Sequence, residues 1–319
     1  MQFLLDAEQR AFAESLDAML TSADTPSVVR DWSRGEHAGG RALWSRIAEA
    51  GVFGLAVPEE YGGLGAHPVE LAVAFVELGR HAVPGPLVET VTAAVLLSET
   101  DPAAKRLLPS LASGEAMATV AHEGSYALDG DVASTRLSLA SDGLHLSPGH
   151  GPVRPSLDPA RRLTPLTPGG ELLTPAPPRA RALATARLTT AAQALGVGLA
   201  LLDKTVAHVR QRTQFGVPIG SFQAVKHRLA DAKIALEFAR PLLFGAALTM
   251  DPADVAAAKV TACEAAYTTA RTALQLHGAI GYTAEYELSL WLTKARALRT
   301  AWGSPRECRA AVIHGGDRQ

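Results

Sequence analysis

The stretch RLTTAAQALGVGLALLDKTVAHVRQR, residues 187–212, decides the fold of this chain. It contains no proline, and its apolar residues return at helical spacing. A helix with so broad an apolar side must bury that side against other helices. The stretch therefore predicts a long packed helix. The apolar residues that can line one side of it are Leu195, Leu199, Leu202, Val206 and Val209.

Three more apolar segments follow and have the same character. Residues 222–250 predict a second helix, with Pro241 as a kink. Residues 251–278 predict a third, because Asp251 and Pro252 suit a helix start and Gly278 suits its end. Residues 284–302 predict a fourth. Long apolar helices joined by short turns pack as a bundle, so residues 181–319 predict a C-terminal four-helix-bundle domain.

The rest of the chain falls into two further zones. Residues 1–112 predict an N-terminal α-helical domain, with Asp6 as an N-cap and Gly51 as a C-cap. Residues 113–180 hold nine of the 20 prolines and only short alternating pieces such as ALDGDVAST and GLHLSPG. This middle zone predicts a reduced β-domain with many loops, and a disordered linker is the alternative. The fold class is mainly α.

Composition excludes several functions. The net charge of −2 over 319 residues gives no basis for binding nucleic acid or a membrane surface. Hydrophobic residues make up 47%, which favours an oligomer that buries apolar surface between subunits. Cys263 and Cys308 have no metal-site spacing and are expected to be packed thiols. The beginning MQFLLDAEQR lacks signal-peptide features, and no apolar run is long enough to span a bilayer. A cytoplasmic location is expected.

Three short motifs carry a resemblance to a known family. They are VPEEYGGLG at 57–65, RQRTQFGVPIGSFQAVKHRLAD at 210–231 and QLHGAIGYTAEYEL at 275–288. Their order and spacing resemble those of the acyl-CoA dehydrogenases, which contain an N-terminal helical domain, a middle β-domain and a C-terminal helical bundle. The likeness covers both helical zones. It implies an FAD-dependent enzyme that oxidises the α,β bond of a CoA thioester.

The resemblance also implies which residues contact FAD. Arg212 matches the family arginine and has a guanidinium suited to a diphosphate. Phe215 can stack on adenine, and Gln223 can donate and accept hydrogen bonds. Gln275, Gly278 and Gly281 match residues near the ADP half of the flavin, where glycine permits close approach. In family dimers these residues reach the flavin held mainly by the neighbouring subunit. The structural alternatives are a helix-end arginine, a core phenylalanine and an ordinary C-cap glycine.

Three departures from the family pattern are visible. Residues 117–131, MATVAHEGSYALDGD, lack the Thr-Glu-Pro and Gly-Ser-Asp signatures of the flavin loop. The usual catalytic glutamate position near the C-terminus holds Trp302, whose indole cannot accept a proton. The family's other glutamate position holds Ala186. No catalytic residue is therefore expected. Glu285, Glu287 and Glu307 are the nearby acids that could replace the base, while His277 is expected to be a core histidine.

These features together predict a particular role. The chain looks like the short subunit of an α2β2 heterotetrameric acyl-CoA dehydrogenase of the steroid type found in actinobacteria. It would share FAD with a full-length partner subunit that holds the base, and would be inactive alone. Two alternatives are a structural or regulatory subunit without flavin contact, and an autonomous dehydrogenase with a relocated base.

Overall fold

The structure is a computed structural model that describes residues 5–315. The expectation that the chain has no signal peptide was based on residues 1–10, and the first four of these lie outside the described residues. The chain divides into two compact units. The first comprises the start of the chain up to Ala13, the segment Phe75–Ala82 and the chain from Arg187 onwards. The second comprises Glu14–Ala74 and Val83–Ala186. The three domains expected from the sequence remain an interpretation of its pattern.

The described chain is mainly helical, as the sequence predicts. Its α-helices are α1 (Ala7–Thr21), α2 (Thr25–Ser33), α3 (Ala38–Glu49), α4 (Pro68–Arg80), α5 (Leu87–Leu97), α6 (Ala103–Ala112), α7 (Arg179–Gln211), α8 (Gln223–Thr249), α9 (Pro252–His277), α10 (Leu288–Leu298) and α11 (Pro305–Gly315). Short 3-10 turns lie at Phe53–Ala56, Glu59–Tyr61, Ile219–Ser221 and Gly278–Tyr282. No described helix is long and apolar enough to cross a membrane.

The middle zone forms strands, so the prediction of a small β region is right and the disordered linker is wrong. The strands are β1 (Ala118–His122), β2 (Tyr126–Leu128), β3 (Thr135–Ala140), β4 (Gly143–Leu146), β5 (Leu163–Pro165) and β6 (Glu171–Thr174). Four of them form one sheet in the order β1-β3-β4-β6. Strands β1 and β3 are parallel, with Val120 opposite Leu137, and the other pairs are antiparallel. Strands β2 and β5 form a separate antiparallel pair.

A buried polar group lies in this second unit. The carboxyl of Asp129 is fully buried and accepts a hydrogen bond from Trp32 Nε1 at 3.1 Å. Its other oxygen has no hydrogen-bond partner among residues 5–315. Burial disfavours the charged form and raises the pKa of Asp129 to about 8, against the weaker opposing effect of the Trp32 hydrogen bond. Burial therefore favours the neutral form of this carboxyl.

The first unit contains a helical bundle with an alanine-rich core. Residues of α7, α9 and α10 meet there, among them Leu201, Ala266 and Trp291. Close helix approach explains the small residues, because a Cβ on Gly196 of α7 would lie 1.9 Å from the carbonyl oxygen of Val76 in α4. Helix α11 packs along α9 as an additional helix. Both cysteines are buried and free, as expected for packed thiols.

Several local predictions are confirmed. Asp6 caps α1, because its carboxylate accepts from the Gln9 backbone N–H at 2.8 Å. Asp251 caps α9 by accepting from the N–H groups of Ala253 and Asp254. The helix predicted over 284–302 is shorter than expected. It spans Leu288–Leu298, with turns on both sides, and Trp302 and Gly303 have positive φ angles of 56° and 130° that lie outside the α-helical region.

Candidate functional site

A short hairpin connects α7 to α8 and carries two of the predicted cofactor residues. Arg212 follows α7 directly, and its carbonyl accepts from the Ile219 N–H at 2.8 Å. Strand β7 (Thr213–Gln214) pairs with β8 (Val217–Pro218). The two residues of the turn, Phe215 and Gly216, have φ angles of 53° and 77°. Two successive positive φ angles are those of a tight type I′ hairpin turn, which projects its tip into the solvent.

The conformation of Phe215 is unfavourable for the chain by itself. Its side chain is 91% exposed, so the alternative of a core phenylalanine is wrong. A residue with a Cβ also loses free energy at positive φ. The ring forms a T-shaped pair with the ring of Phe222, at a centroid distance of 6.3 Å. A large apolar side chain held outward in this way is available to a ligand or to another chain.

Helix α8 begins at Gln223, and its surface has two contrasting sides. One side is buried against the bundle and includes Leu236 and Leu243. The other exposes Ile234, Phe238 and Leu242, which recur every four residues, and Phe238 is 70% exposed. Helical geometry places Gln223 on this same exposed side. An apolar stripe of this kind on a helix marks an interaction surface.

The end of α9 lines an open cavity of about 630 Å³. Gln275 and Gly278 are among its lining residues, but Arg212 and Phe215 are not. Gly278 has a φ of 64° and open space where a Cβ would be, so it serves as the C-cap of α9 and also leaves its backbone accessible. Gly281 is different, since a Cβ there would come within 3.1 Å of His277. Its small size is required by packing, and a contact with a ligand remains a prediction.

Two arginines that the motifs did not identify belong to this region. Arg271 lines the cavity one helical turn before Gln275, and that position could have been found from helical spacing. Arg228, on α8, donates a hydrogen bond from Nη1 to Oε1 of Gln275. The pairing of α8 with α9 is a tertiary contact, so no local pattern indicates it. Through Arg228, the helix that carries Gln223 reaches the cavity that carries Gln275.

His277 is buried in this region, as expected for a core histidine. Its Nδ1 hydrogen-bonds the carbonyl of Ala273 at 2.8 Å, which makes Nδ1 the protonated nitrogen. The ring stacks on His208 at a centroid distance of 4.1 Å, and Nε2 has no hydrogen-bond partner in the described part of the chain. Burial lowers the pKa of His277. Burial also lowers the pKa of His208, and electrostatic repulsion from the nearby His277 lowers it further.

The turn at the expected base position has an ordered backbone and no acid. The carbonyl of Trp302 accepts from Arg187 Nε at 3.3 Å. The carbonyl of Gly303 accepts from Lys259 Nζ at 2.7 Å, and Lys259 is only 1% exposed. Two cationic side chains therefore fix the backbone of this turn. Ala186, at the other expected position, is buried and has no titratable group.

The neighbouring acids have other contacts. Glu307 and Ser304 form a capping box at the start of α11: the Ser304 N–H donates to Glu307 Oε2 at 2.6 Å, and the Glu307 N–H donates to Ser304 Oγ at 3.3 Å. The backbone hydrogen bond from Ser304 lowers the pKa of Glu307. Glu287 faces Lys204 Nζ at 3.5 Å. The helix cap lowers the pKa of the Glu307 carboxylate, whereas the catalytic base of this reaction needs a raised pKa.

The segment that lacks the flavin-loop signatures has its own structure. Residues 117–131 contain β1, the turn at 123–125 and β2. His122, Glu123 and Ser125 line a cavity of about 200 Å³ together with Asp142 and His145. His145 Nε2 and Asp142 Oδ1 lie 2.9 Å apart. The lining of this cavity therefore includes two histidines and two carboxylates.

Comparison with known proteins agrees with this architecture. The family descriptions "Acyl-CoA dehydrogenase, N-terminal domain" and "Acyl-CoA dehydrogenase, C-terminal domain" match residues 6–115 and 179–313. The acyl-CoA dehydrogenase IpdE2 of Mycolicibacterium smegmatis is 33% identical over 311 residues, covering 95% of this chain and 97% of the relative. IpdE2 of Mycobacterium tuberculosis is 32% identical over 303 residues, covering 94% of each chain.

Solved structures give the same result. A variant of the Tcur3481-Tcur3483 steroid ACAD has a TM-score of 0.79 and 26% identity, with 97% of both chains covered. The ChsE4-ChsE5 complex of Mycobacterium tuberculosis has a TM-score of 0.85 at 23% identity over the full length of both chains. The second likeness is one of fold alone.

The fold and the motif positions are those of a family of flavoprotein oxidoreductases. The chain belongs to the acyl-CoA dehydrogenase family.

Proposed function

We propose that this chain is a subunit of a heteromeric FAD-dependent acyl-CoA dehydrogenase. It completes a flavin site with Arg212, Phe215, Gln223, Gln275, Gly278 and Gly281, and a full-length partner supplies the catalytic glutamate. The assembly is an α2β2 heterotetramer in the cytoplasm. Its substrate is the CoA thioester of a steroid side chain or ring fragment, a class supported by the 26% identity to the steroid ACAD.

The observation that carries this proposal is an exposed apolar surface on a chain whose two expected base positions hold Trp302 and Ala186. Phe215 is almost fully exposed, and the side of α8 that contains Gln223 also exposes Ile234 and Phe238. A surface so apolar is stabilised when another subunit covers it. Gly216, next to Phe215, leaves room for a ligand at the tip of the hairpin, since a Cβ on Gly216 would meet nothing within 4 Å.

The residues present fit the ADP half of FAD. An exposed guanidinium and an exposed aromatic ring suit a diphosphate and an adenine, respectively. FAD, when bound, supplies the acceptor for the hydride that leaves the β carbon. The proton on the α carbon needs a base, and neither Trp302 nor Ala186 can accept it. That proton therefore passes to a carboxylate of the partner.

Two alternatives make different use of the same residues. A purely structural or regulatory subunit has no need for an outward-facing arginine and phenylalanine at the position of the family's flavin contacts. An autonomous dehydrogenase needs a relocated base. Glu307, a possible candidate, is occupied by the N–H of Ser304 and has a lowered pKa. Both observations favour the heteromeric subunit.

The test is the flavin content of the complex formed by co-expressing this chain with a full-length acyl-CoA dehydrogenase from the same source. Arg212→Ala should lower the ratio of flavin to protein in the co-purified complex. Arg210→Ala is the matched control, because Arg210 is an exposed arginine two residues earlier in α7. Equal flavin content in the Arg212→Ala and Arg210→Ala complexes would contradict the shared flavin site.

A further inference from the structure

The side-chain amide of Gln275 has only one possible orientation toward Arg228. A guanidinium has hydrogen-bond donors and no acceptor, so the amide must turn its oxygen toward it. The hydrogen bond from Arg228 Nη1 to Gln275 Oε1 has this arrangement. The amino group of Gln275 is then the end left for a ligand, and Gln275 lines the cavity at the end of α9. Arg228 thereby converts a side chain that can donate or accept into a donor.

The rest of the cavity wall is also rich in donors. Thr268, Arg271 and Thr272 share one side of α9 with Gln275, at spacings of three and four residues. Within the described residues, the wall includes one arginine and no carboxylate, so its formal charge is positive. Tyr282, which is 76% exposed, adds an aromatic ring. A wall of this composition favours a ligand with an anionic group rich in acceptors, attached to a planar ring.

We infer that Arg271 is a further phosphate-binding residue of this cavity and that Arg228 is a positioning residue that orients the Gln275 amide toward the same ligand. The ligand chemistry is an adenosine diphosphate group. Both FAD and CoA contain an adenosine diphosphate group. We assign the group to FAD, and this assignment rests on the proposed function. Neither arginine belongs to the residues that the sequence motifs assign to the cofactor.

The test is ligand-observed NMR titration of the full chain with ADP and with adenosine. ADP should bind more tightly than adenosine. Arg271→Ala should weaken ADP binding about tenfold, the loss of one charge-assisted contact, and leave adenosine binding unchanged. Arg271→Lys should recover part of the loss. Arg309→Ala, on α11, is the charge-matched control. If the wild-type chain does not bind ADP, or if Arg271→Ala binds it as well as the control does, the inference is wrong.

A double-mutant cycle tests the positioning role. Arg228→Met and Gln275→Ala should each weaken ADP binding, and the double variant should bind about as weakly as Gln275→Ala alone. Additive losses would show that Arg228 acts independently of Gln275 and would overturn its positioning role. Thermal unfolding of each variant checks the fold, and Arg271→Gln replaces Arg271→Ala if the latter unfolds.

Competition identifies the source of the ADP group. Displacement of ADP by FAD and not by CoA supports the flavin, and displacement by CoA alone overturns that assignment. These measurements need no dehydrogenase activity. If the co-expressed complex oxidises no acyl-CoA while the variants of Arg271 and Arg228 behave as stated, the proposed function fails and the phosphate site stands.

Discussion

Replacing Phe215 should make the isolated chain more stable and the assembled protein weaker. Phe215 lies at φ 53°, where a residue with a Cβ loses about 1–2 kcal/mol relative to the right-handed region. Asparagine tolerates this conformation better. Since the ring is 91% exposed, Phe215→Asn removes almost no burial within the chain. The free energy of unfolding of the chain alone should therefore rise by about 0.5–1 kcal/mol.

The effect on assembly has the opposite sign. Covering a fully exposed phenylalanine with a flavin or a partner contributes about 1.5–3 kcal/mol. Its loss should weaken flavin retention by about 10- to 150-fold. Urea denaturation followed by circular dichroism measures the first effect, and the release of FAD from the co-purified complex on dilution measures the second.

A matched control separates the hairpin from exposed apolar surface in general. Ile313 on α11 is 70% exposed, outside the hairpin and α8. Ile313→Ala should change neither flavin retention nor stability by much. If Phe215→Asn retains flavin as well as Ile313→Ala does, the reasoning about the hairpin is refuted. A loss of more than about 1 kcal/mol in the stability of the isolated chain would refute the assignment of strain.

Three further predictions concern groups inside each unit. Because the pKa of Asp129 is 3.8 in the unfolded chain and about 8 in the folded one, the folded state loses stability as the pH rises between these two values. Asp129→Asn should therefore raise the free energy of unfolding by about 2–4 kcal/mol at pH 7 and by less at pH 5. Urea denaturation at the two pH values measures this difference. Lys259→Met should lower it by about 1–3 kcal/mol, because the Gly303 carbonyl loses its donor, and hydrogen exchange should quicken at that turn. The pKa values of His277 and His208 are lowered in the folded chain, so the folded state should lose stability as the pH falls below about 6.5. In thermal unfolding, the His277→Phe variant should lose less stability over this pH range than the wild type does.

Local sequence signals were sufficient for the class of fold and for the starts of α1, α8 and α9. The Asp251–Pro252 pair predicted the beginning of α9, and its carboxylate does cap the helix. Helix α2 was not singled out within the N-terminal zone because it has only nine residues and because its N-cap, Asp24, makes no side-chain hydrogen bond to the helix. The predicted fourth helix extended too far at both ends, and the turn after it holds Trp302, whose carbonyl contacts Arg187, a residue 115 positions away that no local spacing indicates.

The candidate site was predictable only where a motif is continuous in sequence. Arg212 and Phe215 lie on one hairpin, and Gln275 and Gly278 lie at one helix end, so each pair could be predicted from its own segment. The link between the two helices is made by Arg228, whose partner is 47 residues away. Such a contact depends on how α8 packs on α9, which no local spacing encodes.

The most direct test of the central claim is the absorbance of bound flavin in the chain purified alone and in the complex with a full-length partner. The chain alone should be colourless and should not oxidise any acyl-CoA. The complex should contain one FAD per heterodimer and be active. A chain that is stoichiometrically yellow by itself and oxidises an acyl-CoA thioester would contradict the account, because it would need neither a partner's flavin site nor a partner's base.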